Sequence, residues 1–149
     1  MRSARLSAVS LLVLSLAAGA AHALDYKSVG AAPAVLYDAP SAKGRKVFVA
    51  PRGMPVEVVL TYGDWTKVRD AAGDLSWVES KLLSPKRTLV VNAGSARIRV
   101  AADDNAAVVF TADKGVLLDR VETAQAGWVR VRHRDGQIGF VKASEVWGE

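Results

Sequence analysis

Trp65 and Trp128 each follow a short turn, Gly63-Asp64 and Ala126-Gly127, and each opens a run that alternates apolar with basic or polar residues. An indole in that place either fills a core or lies half exposed, where it can stack on a sugar face or an extended peptide; large aromatics bury most of their area, which favours the core. Arg130, Arg132 and Arg134 recur at a spacing of two, and so do Arg97 and Arg99. In an extended chain that spacing puts each set on one face. If the two faces adjoin, the guanidinium groups form a cationic strip suited to carboxylates; a solvated exterior explains the same residues without a ligand. Tyr37 and Tyr62 are further candidates, able to edge a groove. Trp77 and Phe140, each just before a valine, are expected in the core.

Catalytic chemistry lacks its usual side chains. The sequence has no cysteine, and its histidines are His22 and His133, so there is no thiolate nucleophile and no histidine pair placed to hold a metal. Neither G-x-S-x-G nor H-E-x-x-H occurs. Asp103-Asp104, and Glu57 with Asp64, read as solvated carboxylates rather than a paired acid and base. No catalytic residue, metal site or cofactor is expected.

The elements that must position these side chains occur twice. A shift of 62 residues lays Val35-Leu36-Tyr37 on Arg97-Ile98-Arg99, Val47-Phe48 on Val109-Phe110, and Gly53 on Gly115. A shift of 63 then carries Trp65 to Val68 onto Trp128 to Val131, Gly73 onto Gly136, and Trp77-Val78 onto Phe140-Val141. This is an internal duplication with a one-residue insertion, in units of about 55 residues, the size of a small barrel rather than of a solenoid repeat. Alternating and β-branched runs predict strands at 35–38, 46–50, 55–62, 65–70 and 74–78, and at 96–100, 107–111, 116–122, 127–133 and 137–141. Short 3₁₀ turns are expected over 79–83 and 142–146, and Thr88-Leu89-Val90-Val91 is expected as an extra strand packing across the junction. Units this small sit near the lower limit for independent stability, so the two are expected to dock.

The first residues run from Arg2 and Arg5 through an apolar stretch, Val9 to Ala18, to Ala21-His22-Ala23, the order of a secretory signal peptide cleaved after Ala23. The apolar run is too short to span a bilayer, so no membrane span is expected after cleavage. Removing residues 1–23 leaves 18 basic and 15 acidic residues, a net +3. Residues 24–85 carry 8 basic and 7 acidic side chains and residues 86–149 carry 10 and 8, so neither half has the concentrated basic face that nucleic-acid binding needs. The expected organisation is a signal peptide at 1–23 and small β-barrels at 24–85 and 86–149. The fold class is all-β, two tandem small barrels.

Ile98-Arg99, Val108-Val109, Lys114-Gly115, Gly127-Trp128 with Val131, and Gly139-Phe140-Val141 resemble in order and spacing the bacterial SH3 modules of cell-envelope proteins. Arg52-Gly53, Pro55-Val56-Glu57-Val58, Gly63-Asp64-Trp65, Val68-Arg69 and Trp77-Val78 repeat the resemblance in the first copy. Two departures stand out: Tyr37 where the family has arginine, and Arg99-Val100-Ala101-Ala102 in place of R-S-G-P. Val35-Leu36-Tyr37-Asp38 is also similar to the A-L-Y-D-Y segment of eukaryotic SH3 domains, but the next loop is basic and Ala39 replaces the second tyrosine, which argues against polyproline recognition. The resemblance implies a non-catalytic binding role in the periplasm, with peptidoglycan or its peptide stems as partner, or else an envelope protein or extended peptide.

Overall fold

The computed structural model describes residues 24–149; the expected signal peptide lies outside them. The first half forms β1 (Tyr26–Val29), β2 (Ala34–Tyr37), β3 (Lys46–Ala50), β4 (Pro55–Tyr62), β5 (Trp65–Arg69), β6 (Leu75–Glu79), a 3₁₀ turn (Ser80–Leu82) and β7 (Leu83–Ser84). The second half repeats the series as β8 (Thr88–Val91), β9 (Ser95–Arg99), β10 (Val108–Asp113), β11 (Leu117–Gln125), β12 (Trp128–Arg132), β13 (Ile138–Lys142), a 3₁₀ turn (Ala143–Glu145) and β14 (Val146–Trp147). Each half is a seven-stranded sheet, ordered β3-β2-β6-β5-β4-β1-β7 and β10-β9-β13-β12-β11-β8-β14, so the two topologies are the same. The described residues form two tandem SH3-like barrels.

The strands follow from a period of two. Buried Thr66 and Val68 alternate with outward Trp65, Lys67 and Arg69, as buried Val129 and Val131 alternate with Trp128, Arg130 and Arg132. The hairpins after β5 and β12 turn through Gly73 and Gly136 at φ of 91° and 93°, a region closed to most L-residues. β4 pairs with β1 through Pro55–Glu57 and with β5 through Glu57–Tyr62, shifting register between Val58 and Leu60. The shift bends one long strand so that it serves both ends of a curled sheet. β11 repeats the device with shifts after Arg120 and Glu122.

Each core is aliphatic. Leu36, Val56, Val68 and Val78 fill the first barrel, and Leu89, Ile98, Leu118 and Val131 the second, all essentially without exposure. Trp77 and Phe140 do not join them, contrary to expectation. The buried positions of β6 and β13 are Ser76 and Val78, Gly139 and Val141, which turn Trp77 and Phe140 onto the outer face, half buried. The core-filling reading of Trp65 and Trp128 fails for the same reason. A second correction concerns Thr88–Val91. It is a strand that touches β4 across the junction, as expected, but it is not extra to the repeat: it opens the second barrel, paired with β11 and β14 just as β1 pairs with β4 and β7.

The barrels dock through the first strand of one and the linker and last residues of the other. The Ser28 hydroxyl donates to the Lys86 carbonyl at 2.8 Å, and Arg87 lies 5.2 Å from the Tyr26 ring centroid while donating to the Gly148 carbonyl at 2.7 Å. Trp147 meets the same tyrosine edge-on, with centroids 5.2 Å apart. Burial, with the Glu57 charge second, raises the Tyr26 pKa; burial, with Arg120 second, lowers that of Arg87.

Candidate functional site

On the outer face of the second barrel three strands lie side by side. In the register of β12, β13 and β9, Arg130 stands opposite Phe140 and Phe140 opposite Arg99, while Trp128 stands opposite Lys142. Beside this row is a groove of about 490 Å³ lined by Ser95, Arg97, Arg99, Asp104, Trp128, Lys142 and Glu145. Arg97 is exposed and Arg99 half buried, because Ala96 and Ile98 between and before them take the inward positions of β9. The Arg99 guanidinium donates to the Ala106 carbonyl at 2.8 Å, which fixes its stem. Lys142 sits 5.8 Å from the centroid of the Trp128 ring and 2.7 Å from an Asp104 oxygen. The hydrogen bond from Lys142 holds the Asp104 carboxyl below its usual range. The groove therefore combines one indole with three cations and two carboxylates, a surface that can stack a ring and grip an acidic group beside it.

The expected arginine strip divides. Arg97, Arg99 and Trp128 come together in the groove. Arg130 is drawn away to Glu122, 2.7 Å from its carboxylate, and Arg132 leans toward Asp119 at 3.6 Å, lining a different cleft between the barrels. Sequence reasoning missed Lys142, Asp104 and Glu145. The period of two starting at Phe140 would have placed Lys142 on the outer face, but Asp104 comes from a loop whose path no periodicity encodes.

The corresponding face of the first barrel has different chemistry. Tyr37 takes the place of Arg99, is only 9% exposed, and packs edge-on against Trp65 with centroids 5.5 Å apart and planes at 88°. Trp77 pairs with Tyr37 across the strands, and Lys67 lies 5.9 Å from its ring centroid. Opposite Trp65 stands Glu79, where the second barrel has Lys142, and Glu79 is bridged to Lys81 at 3.1 Å. Tyr62 also pairs with Trp65 but is 67% exposed and does not close a groove with Tyr37. On this face the rings of Tyr37 and Trp65 meet at the positions where the second barrel has Arg99 and Trp128. Among the described residues no group of three or more His, Asp or Glu side chains is placed to hold a metal ion.

Residues 30–85 and 92–148 each match the family model described as the bacterial SH3 domain. No curated protein matches the chain. Among solved structures, NlpC2 from Trichomonas vaginalis is similar at 11% identity and a TM-score of 0.39, over 85% of this chain and 49% of its own. NlpC1 from Trichomonas vaginalis is similar at 13% identity and a TM-score of 0.39, over 94% of this chain and 51% of its own. An NLPC/P60 family protein from Bacillus cereus is similar at 15% identity and a TM-score of 0.37, over 82% of this chain and 55% of its own. The chain spans about half the length of these proteins.

Proposed function

The chain belongs to the bacterial SH3 domain family, and from that premise we propose that it is a non-catalytic binding module of the cell envelope, working in the periplasm, whose second barrel holds peptidoglycan through its peptide stems. The observation that carries this reading is the convergence of Trp128, Arg97 and Arg99 on one open groove. The indole offers a flat face to a sugar or peptide plane, and the two guanidinium groups offer paired donors to stem carboxylates. The first barrel contributes half-buried Trp65 and exposed Tyr62 as a secondary aromatic surface, with Tyr37 packed against Trp65 as its support.

The test is co-sedimentation of the purified protein with isolated sacculi at low and moderate salt. Pelleting is expected to fall as salt rises, because exposed charge pairs are screened within about 10 Å at 0.1 M. Trp128→Ala, and Arg97→Ala with Arg99→Ala, are expected to weaken retention by about tenfold or more, since charge-assisted hydrogen bonds are worth about 1.5–3 kcal/mol each. Absence of pelleting at every salt concentration rejects the wall reading.

One observation favours a second reading, an adaptor that takes an extended peptide of an envelope protein. β3 pairs only with β2 and ends its sheet, with Val47, Phe48 and Val49 in succession 44%, 50% and 61% exposed. An apolar edge of that kind can add a strand from a partner. Crosslinking from Phe48, by a photoreactive substitution there, is expected to capture a protein only under this reading.

A further inference from the structure

The docked barrels enclose a second concavity that the groove at Trp128 does not touch. It measures about 850 Å³, within the roughly 300–1,000 Å³ usual for sites that hold small ligands. Both halves of the duplication build it. The first barrel supplies Val29 and Arg52, the linker Lys86, and the second barrel Leu117, Arg132 and Arg134.

Its charge is one-sided. Among the lining residues the cations are Arg52, Lys86, Arg132 and Arg134, and the sole carboxylate is Asp119. That carboxylate is shared: Lys86 Nζ lies 3.1 Å and Arg132 Nη2 3.6 Å from the same Asp119 oxygen. Arg52 and Arg134 have no ion-pair partner among the described residues. The nearest acidic neighbour of Arg134 in sequence, Asp135, is instead tied to Gln137 by its backbone amide at 3.0 Å and its side-chain amide at 2.7 Å, and lies 3.1 Å from His133. Arg52 stands in a turn closed by the Met54 amide on the Pro51 carbonyl at 3.1 Å, which holds it at the rim.

The walls are also fixed before any ligand arrives. The Ser28–Lys86 hydrogen bond joins the two barrels at the cleft, and Thr88, next to it, is paired with Asp119 in the sheet. The Thr88 hydroxyl is buried without a hydrogen-bond partner, so one polar group of the wall is unclaimed. A preformed concavity with a surplus of guanidinium groups concentrates anions, and its partly exposed apolar stretch at Val116 and Leu117 favours an organic body over a bare inorganic ion.

We propose that the cleft between the barrels is a binding site for a short acidic peptide, its carboxylates held by Arg52 and Arg134 and its backbone lying along Val116 and Leu117. The site is independent of the Trp128 groove and of whatever that groove binds.

The test is titration of the whole protein with a capped peptide of sequence Ala-Glu-Glu-Ala, followed by calorimetry, with inorganic phosphate and a capped Ala-Gln-Gln-Ala peptide alongside. The acidic peptide is expected to bind in a salt-sensitive way and the neutral one not to bind. Arg52→Gln with Arg134→Gln, both outside the core, is expected to weaken binding by about tenfold or more, while Trp128→Ala leaves it unchanged. The proposal is overturned if the acidic peptide does not bind, if phosphate binds as tightly as the peptide, or if the double variant binds like the parent. Retention on sacculi is read separately with Trp128→Ala, so failure of the cleft and failure of the groove give different results.

Discussion

Single residues decide what each duplicated face can do. At one equivalent position Tyr37 packs under Trp65, while Arg99 leaves Trp128 beside a groove. The backbone is the same, and one side chain converts a filled aromatic patch into a cationic opening. Asp135 shows a second way in which one residue acts. Its carboxyl is held at about 2, against the usual 3.8, first by the backbone amide of Gln137, then by the side-chain amide of Gln137, with His133 adding less. A lowered folded-state pKa means that the ionised form is the one the turn stabilises. Its contribution is full above 3.8 and is lost as pH falls through about 2. Urea midpoints measured from pH 5 to pH 2 should therefore fall more steeply for the parent than for Asp135→Asn across that window. Equal slopes would show that the turn gains nothing from the charge.

Elements set which of these residues meet. β9 and β13 cross closely at Gly139, where an added Cβ would lie 2.5 Å from Ile98 Cγ2 and 2.7 Å from the Arg99 carbonyl oxygen. The second contact is with backbone, so the strands themselves would have to part. Gly139→Ala is expected to destabilise the protein by about 1–3 kcal/mol, the range for overpacking, and to shift Arg99 within the groove; urea denaturation and sacculus retention measure the two effects. The first barrel has Ser76 at the equivalent place, 8% exposed, so a side chain with a Cβ is accommodated there. The alternation in β5 and β12 was legible in the sequence because valines mark every second position. β1 was not, since Tyr-Lys-Ser-Val shows no apolar period: its Ser28 is buried only because the Lys86 carbonyl accepts its hydroxyl proton. The same limit hid the duplication of β1 in β8. Trp77 and Phe140 were misplaced because size alone suggests burial, whereas a core closed by valine and leucine leaves no volume for an indole. Of the candidate site, Arg97, Arg99 and Trp128 could be read, but not the loss of Arg130 and Arg132 to Glu122 and Asp119. That outcome depends on the register of β11 against β12, which two bulges displace.

At the scale of the molecule, the docking of the barrels positions the inter-barrel cleft and also supports the weaker half. Among the described residues the first barrel buries seven aliphatic side chains in its core cluster and the second ten, so the first has less burial to set against its conformational entropy. What it lacks it recovers at the junction, where Tyr26 is covered by Arg87 and Trp147. Arg87 is the shared piece: it caps the Tyr26 ring on one side and the Gly148 carbonyl on the other. The parent protein is therefore expected to unfold by calorimetry in one transition, because opening either barrel exposes the face that steadies the other. Arg87→Ala removes the cation over the ring and leaves the Gly148 carbonyl without its donor, at a cost that falls on the interface rather than on either core. That variant should resolve two transitions, with the first barrel melting at the lower temperature; tryptophan fluorescence of a version carrying both Trp65→Phe and Trp77→Phe, in which the remaining indoles, Trp128 and Trp147, belong to the second barrel, identifies which barrel each transition reports. Two transitions already present in the parent would mean that the barrels stand independently, and that the cleft between them is not held by their docking.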